Sequence, residues 1–337
     1  MKKIETCTFL LLFLISFNFY AQRKIQFLDS ISNDRIGYVS IDLLNGNGYY
    51  GNSEGVTYLD TVNFKSVKFT HISYYDKLEL ISTMKDTVYL KPKEIALDEV
   101  VLTKYFTGKK VEITKSISKG KDSIFCAFGT YGYQIAQFIK FDDAKTYYID
   151  EFSIPIKQDD LYMKINNIKE FSTFLVKLSF HENYNGLPSD NTITESEYIS
   201  VGKSEIKKGV ITYKLVKPIK FAKNGIFSII TFLGQTDNNG DLLLESPHRV
   251  LKDKKGKEIL FVKYLPIKIP LKESKSDTVN TFSKLFFSKE NIYTRITPPI
   301  SIPMNLVGVD KKEYIENLKR DMPIYYIDFG FKYFYYE

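Results

Sequence analysis

In stretch after stretch, the apolar side chains of this chain recur at every second position, the period of a strand buried on one face. Val39, Ile41 and Leu43 alternate with Ser40 and Asp42, and Val67 and Phe69 with Lys68 and Thr70. Further along, Phe174, Val176, Leu178 and Phe180 point one way while Lys177, Ser179 and His181 point the other, the mark of a half-buried antiparallel strand. "IFSIITFL" is apolar on both faces and suits a central, covered strand. Between such runs stand the turn signals "NYNGLPSDN", "TDNNGDL" and "KDKKGKE", rich in residues that tolerate tight backbone reversals. The pattern changes period once. In "VDKKEYIENLKRDMP", Asp310 and Glu313 form a capping box, Tyr314, Ile315 and Leu318 make an apolar stripe, and Pro323 follows the stop, so a short helix is expected over 310–321.

Gly46, Gly48 and Gly51 in "GNGYYGNSEG" fit the G-x-G-x-x-G spacing of a dinucleotide-binding loop. That loop needs a helix behind it, because the helix N-terminus supplies the N–H donors for the phosphates. Here the glycines run into "GVTYLDTVNFKSVKFTHI", whose period is two, so the stretch reads as a turn between strands.

The order of elements around that turn resembles a known family. A strand "YVSIDLL", then Asn52, Gly55 and Leu59, then the strand "SVKFTHISYYDKLELI" carrying Ser73, Tyr74 and Tyr75, lead to Val88 and Leu90 and close on Leu97-Asp98-Glu99-Val100-Val101. This resembles the carboxypeptidase-regulatory-like domain of exported Bacteroidetes proteins, with Tyr74-Tyr75 where that family often has Gly-Tyr. The resemblance implies a small transthyretin-like β-sandwich over 22–103. After a polar, basic connector at 104–120, the longer strands of 121–337 are expected to form a larger antiparallel β-sandwich or jelly-roll-like domain. The expected fold class is therefore all-β, with the helix near 310–321 as its short C-terminal addition. The second domain resembles, by pattern alone, the β-sandwich domains appended to exported Bacteroidetes proteins.

Composition fits this reading: 25 Tyr and 26 Phe in 337 residues, with no Trp, favour pleated, half-buried surfaces. The chain opens with Lys2 and Lys3, an apolar run "FLLLFLISFNFY" and Ala21 before Gln22. That is a secretory signal peptide over 1–21, too short in its apolar run to span a bilayer. Removing Lys2, Lys3 and Glu5 lowers the net charge from +7 to +6. The remaining basic residues are spread out, which argues against nucleic acid as a partner. Cys126 is then the lone cysteine, so no internal disulfide is expected and the thiol reads as a buried structural one.

Candidate chemistry is sparse. His71, His181 and His248 are followed three positions on by Tyr74, Tyr184 and Leu251, so none opens the His-x-x-Glu pair of a zinc carboxypeptidase. Asp98 and Glu99 are strand neighbours whose side chains diverge. "DNNGD" (Asp237 to Asp241) offers clustered oxygens for calcium, and equally an Asn-Gly hairpin turn. No catalytic, cofactor-binding or metal residue is assigned, and no cofactor is expected. The expected function is that of a non-enzymatic exported cell-envelope protein serving binding or assembly in the periplasm, outer membrane or cell surface. Its expected partner is an envelope protein or glycan, with peripheral outer-membrane association. The alternatives are a small outer-membrane β-barrel with a periplasmic module, and a glycan-acting hydrolase with carboxylates from different strands.

Overall fold

The computed structural model describes residues 22–45, 48–60, 64–93, 108–118, 126–141, 145–165, 173–221, 223–237, 239–243, 248–252, 256, 258–262, 264–274, 281–285, 292–296 and 324–337. The described residues are all-β, with 63% strand and 2% helix. Two compact units divide after Ile95. The signal segment 1–21, the expected helix 310–321 and the Leu97–Val101 motif lie outside the described residues.

In the first unit, β1 (Gln22–Asp29), β4 (Val56–Asp60) and β7 (Thr87–Leu90) form one sheet, ordered β4-β1-β7. The second sheet is β3-β2-β5-β6, from β2 (Ser40–Asp42), β3 (Gly48–Tyr50), β5 (Ser66–His71) and β6 (Tyr74–Leu80). Alternation sends Ile25 and Phe27 of β1 and Val67 and Phe69 of β5 into a single core, each fully buried. The rings of Phe27 and Phe69 meet edge-on at 5.1 Å, one from each sheet, so the unit is a small sandwich. Only the pairing of β1 with β7 is parallel among its described strands.

"SVKFTHISYYDKLELI", expected as one strand, is two. The chain reverses at Ile72 and Ser73 so that β5 and β6 pair antiparallel, with Ser66 opposite Leu80. His71 Nδ1 accepts the Ser73 N–H at 3.2 Å, and Lys93 N–H donates to the Ser73 carbonyl at 2.9 Å. These local bonds offer the backbone an alternative to continuing straight, which strand period alone cannot reveal. From Gly48 onward the glycine-rich stretch is strand and turn. Gly48 opens β3 opposite Asp42. Asn52 Oδ1 accepts the Val56 N–H at 2.8 Å while Gly55 takes φ +68°.

The second unit holds two larger sheets. β13 (Phe174–Tyr184), β14 (Leu187–Thr192), β17 (Ile226–Gln235), β10 (Tyr133–Ile139), β22 (Thr281–Leu285) and β23 (Thr294–Arg295) run in the order β14-β13-β17-β10-β22-β23, and β15 (Glu197–Val201) also pairs with β13. The other sheet is ordered β16-β11-β25-β8, from β8 (Lys110–Lys115), β11 (Tyr148–Pro155), β16 (Val210–Lys220) and β25 (Gly330–Tyr336). A third, β12-β20-β9, comprises β9 (Cys126–Thr130), β12 (Lys157–Gln158) and β20 (Tyr264–Pro270). Two hairpin-sized pairs complete the set among the described residues: β18 (His248–Lys252) with β19 (Glu258–Val262), and β21 (Lys272–Ser274) with β24 (Ile324–Tyr326). One helical turn, α1 (Asp160–Ile165), was not foreseen from the sequence.

Phe174, Val176, Leu178 and Phe180 of β13 enter the main core, as their spacing requires. β17 is central, between β13 and β10, and buried from Ile226 to Gly234. In β11, Ile149 and Phe152 are both fully buried although three residues apart. A bulge makes this possible: Ile149 pairs with Tyr333 and Glu151 with Lys332, leaving Asp150 as the extra residue. Phe152 then meets Phe180 edge-on at 5.9 Å, joining the two larger sheets. Residues 110–115, expected inside a connector, form β8 and pair with the C-terminal strand β25, so the second unit begins earlier than its sequence pattern indicates.

Two glycines with positive φ separate strain from crowding. At Gly55 (φ +68°) a Cβ would come within 2.7 Å of the Ile36 carbonyl, whereas at Gly186 (φ +83°) it would meet nothing. Gly186→Ala is expected to destabilise by about 1 kcal/mol, through conformation alone. Gly55→Ala should cost about 2–3 kcal/mol, because the backbone must also move. Urea unfolding of both variants measures the difference; equal losses would show that the Ile36 contact yields freely.

Candidate functional site

The second unit carries a cleft of about 570 Å³, within the usual range for ligand sites. One wall is the end of β10 and the residues after it, with Phe138, Lys140 and Phe141; the other is Tyr326 of β24, Phe331 of β25 and Phe329 in the link between them. Gln137 and Lys115 add polar groups. Phe141 anchors the first wall, its ring 4.4 Å from Phe221, 4.5 Å from Tyr333 and 4.7 Å from Tyr147. Such packing fixes an aromatic surface at little conformational cost on binding.

The second wall is fixed by a buried carboxylate. Asp328 lies between β24 and β25 in an otherwise apolar, aromatic run and is 6% exposed. Its Oδ2 accepts from the Ser118 N–H and Oγ, both at 2.6 Å, and from Lys272 Nζ at 3.0 Å; its Oδ1 accepts from Lys115 Nζ at 3.2 Å. Lys115 also donates to the Phe329 carbonyl at 2.7 Å and stands 5.1 Å from the centre of the Phe331 ring. Burial works against the charge on Asp328, but the hydrogen bonds from Ser118 and Lys272 overcome it and hold the pKa down at about 2.

Ser118 beside Lys272 has the residue types of a serine–lysine nucleophile pair, but not the protons. The Lys272 ammonium donates to Ser118 O at 2.5 Å, Ser118 Oγ at 2.6 Å and Asp328 Oδ2. Its three donors are committed, leaving no lone pair to act as a base. The cluster is a clamp that joins the segment after β8 to β21 and the start of β25.

The residues singled out from the sequence do not converge. His71 accepts from the Ser73 backbone in the first unit, while His181 sits in the second. His181 Nδ1 lies 2.8 Å from the Ser189 carbonyl and so carries the proton; Nε2 accepts from Ser179 Oγ at 3.0 Å. Burial, with Lys177 and Lys284 nearby, lowers its pKa to about 4. His248 lies on β18. Cys126 opens β9, half-buried rather than buried. Asp237 Oδ1 accepts from the Asn239 and Asp241 backbones at 2.8 and 3.0 Å, and Gly240 takes φ +87°. That carboxylate is spent on the turn. Among the described residues, no group of three His, Cys, Asp or Glu stands where it would hold a metal.

Sequence reasoning missed the Asp328 clamp, whose members are up to 213 residues apart. The available signal was the aspartate itself, in the middle of "IYYIDFGF". No family model, curated protein or solved structure matches this chain.

Removing Asp328 leaves Lys272 buried without its counter-charge, so Asp328→Ala is expected to lose about 3 kcal/mol of stability. Because the folded pKa is depressed, the stabilisation is complete above the ordinary carboxylate pKa of 3.8 and is lost as pH falls towards about 2. Urea midpoints compared between pH 6 and pH 2.5 should fall further in the wild type than in Asp328→Asn, by about 2 kcal/mol. Parallel pH dependences would exclude the clamp as the source.

Proposed function

We propose that this chain is a non-enzymatic exported protein of the cell envelope, and that its second unit binds an envelope glycan in the aromatic-walled cleft. The cleft carries the reading. Phe138, Phe141, Tyr326 and Phe331 offer ring faces and edges to a sugar's apolar side, and Gln137 and Lys140 offer donors to its hydroxyl or acidic groups. Export is supported by the basic start, apolar run and Ala21 of the N-terminal segment. The order of motifs in the first unit supports a carboxypeptidase-regulatory-like module there, serving attachment or assembly. The periplasm or the cell surface is the compartment that brings such a chain to its ligand.

A water-facing module is favoured over a membrane barrel by where the apolar side chains go. Alternating apolar residues from both large sheets meet in one internal core between them, whereas a barrel turns its apolar band outward to lipid. Among the described residues no helix is long and apolar enough to cross a membrane.

Tyr326 and Lys140 line the cleft without anchoring the core, so Tyr326→Ala and Lys140→Ala test it directly. Against solubilised peptidoglycan and outer-membrane polysaccharide fragments, each variant should bind several-fold to about tenfold more weakly than wild type. Host fractionation should release the protein with the periplasm or with a high-salt wash. Undiminished binding by both variants, or retention until detergent is added, would overturn the proposal.

A further inference from the structure

The lining of the cleft is one-sided in charge. Among the described residues it includes Lys115 and Lys140, and no aspartate or glutamate. Asp328 belongs to the second wall by position, between Ile327 and Phe329, yet it does not line the cleft: its carboxylate is turned to Ser118, Lys272 and Lys115. Lys140 already has an interaction of its own. Lys115 is the cation with a proton left to give.

An ammonium carries three protons. Lys115 gives one to Asp328 Oδ1 at 3.2 Å and one to the Phe329 carbonyl at 2.7 Å, and these bonds hold it on the wall. The third has no acceptor among the described residues, and the side chain is 47% exposed. The Phe331 ring, its centre 5.1 Å from the ammonium, lines the cleft as well. Lys272, the other cation of the clamp, differs on both counts: its protons are spent and its side chain is buried. Two positive charges therefore surround the single negative charge of Asp328, and the accessible one belongs to the lining.

Gln137 adds a donor of fixed sense. Its Oε1 accepts the Thr281 hydroxyl at 2.6 Å, which settles the orientation of the amide. Its Nε2 reaches the Phe138 carbonyl only at a long 3.4 Å. An amide nitrogen has two protons, so one remains for a ligand. A lining with donors to spare and a surplus of positive charge is complementary to an anion.

We propose that the cleft selects an acidic sugar, whose carboxylate pairs with Lys115 while Gln137 Nε2 donates to a neighbouring sugar oxygen. The proposal rests on the glycan reading of the cleft and adds to it the class of sugar and the residue that chooses it. The aromatic walls take the apolar face of the sugar ring; Lys115 reads its charge. A carboxylate brings one negative charge, which matches the single surplus charge of the clamp, whereas a phosphate monoester brings about two at neutral pH. Asp328 holds the ammonium in place for this contact.

The test uses the mature full chain and uronate oligosaccharides of alginate, polygalacturonate and hyaluronan, each beside its neutral, carboxyl-reduced form. Wild type should bind at least one uronate about tenfold more tightly than its neutral form, a preference that shrinks as salt rises. Lys115→Met keeps the stem without the charge and should bring that ratio close to one, while Lys115→Arg should keep most of it. Gln137→Glu retains the oxygen that Thr281 needs and sets a carboxylate in the cleft, so it should turn the preference towards the neutral form; it reads the same ratio should a Lys115 variant fail to fold. Equal binding of both forms by wild type, no binding of any uronate, or a preference that survives in Lys115→Met would overturn the acidic-sugar assignment. The glycan cleft would still stand if Tyr326→Ala weakened binding of the neutral forms. Tighter binding of sulfated galactan oligosaccharides than of any uronate would overturn the carboxylate in favour of a sulfate. Tyr326→Ala without effect on any sugar would overturn the cleft itself, and the acidic-sugar assignment with it.

Discussion

Burial of β17 on both faces is the constraint from which the second unit follows. Ile226, Ile230 and Phe232 face the main core, while Phe227 and Ile229 face the satellite cluster. Each fully buried side chain of this size contributes about 1.5–3 kcal/mol, so neither face can be left to water. Hydrogen bonding to β13 and β10 makes those neighbours share the covering. The main core accepts this readily, because β13 and β10 alternate in phase with it and the Asp150 bulge lets β11 supply Ile149, Phe152 and Ile154 from above. The opposite face accepts it less readily. The polar set of β13, with Lys177, Ser179 and His181, is drawn into the same covered layer.

Much of this was legible in the sequence, for one reason: a side chain's face on a strand depends only on its position parity. The β13 alternation, the central standing of β17 and the strands that follow the glycine-rich stretch therefore follow from local pattern. The Asn-Gly of "NYNGLPSDN" likewise turns β13 into β14, with Asn185 and Gly186 both at positive φ. What local pattern cannot supply is pairing across long separations. β8 looked like a connector because its six residues are mostly polar and exposed; only its partner, β25, makes it a strand. The β5–β6 reversal failed for a related cause, since the bonds that make the turn come partly from Lys93 beyond β7. The cleft and its clamp were out of reach on the same grounds. Their parts come from β8, β10, β21 and β25, and no single stretch carries them all.

The two lysine clusters show what a fold can do with charge that it draws inward. Around Asp328 the carboxylate draws its partners from within the chain: Lys272 donates to Ser118 and Asp328, and Lys115 to Asp328 and the Phe329 carbonyl. Such a network fixes the strands that form one wall of the cleft. On the polar face of the seven-stranded sheet, Tyr293 donates to Gln134 and Gln134 to Thr231, with exposed Asp190 acting on Lys284. A purely structural role would be served better by apolar residues of the same bulk, because a crowded ammonium weakens the folded state where a methionine would not. Lys177 on a sheet face already lined by Phe227, Ile229 and Phe282 is therefore a departure from what packing alone selects.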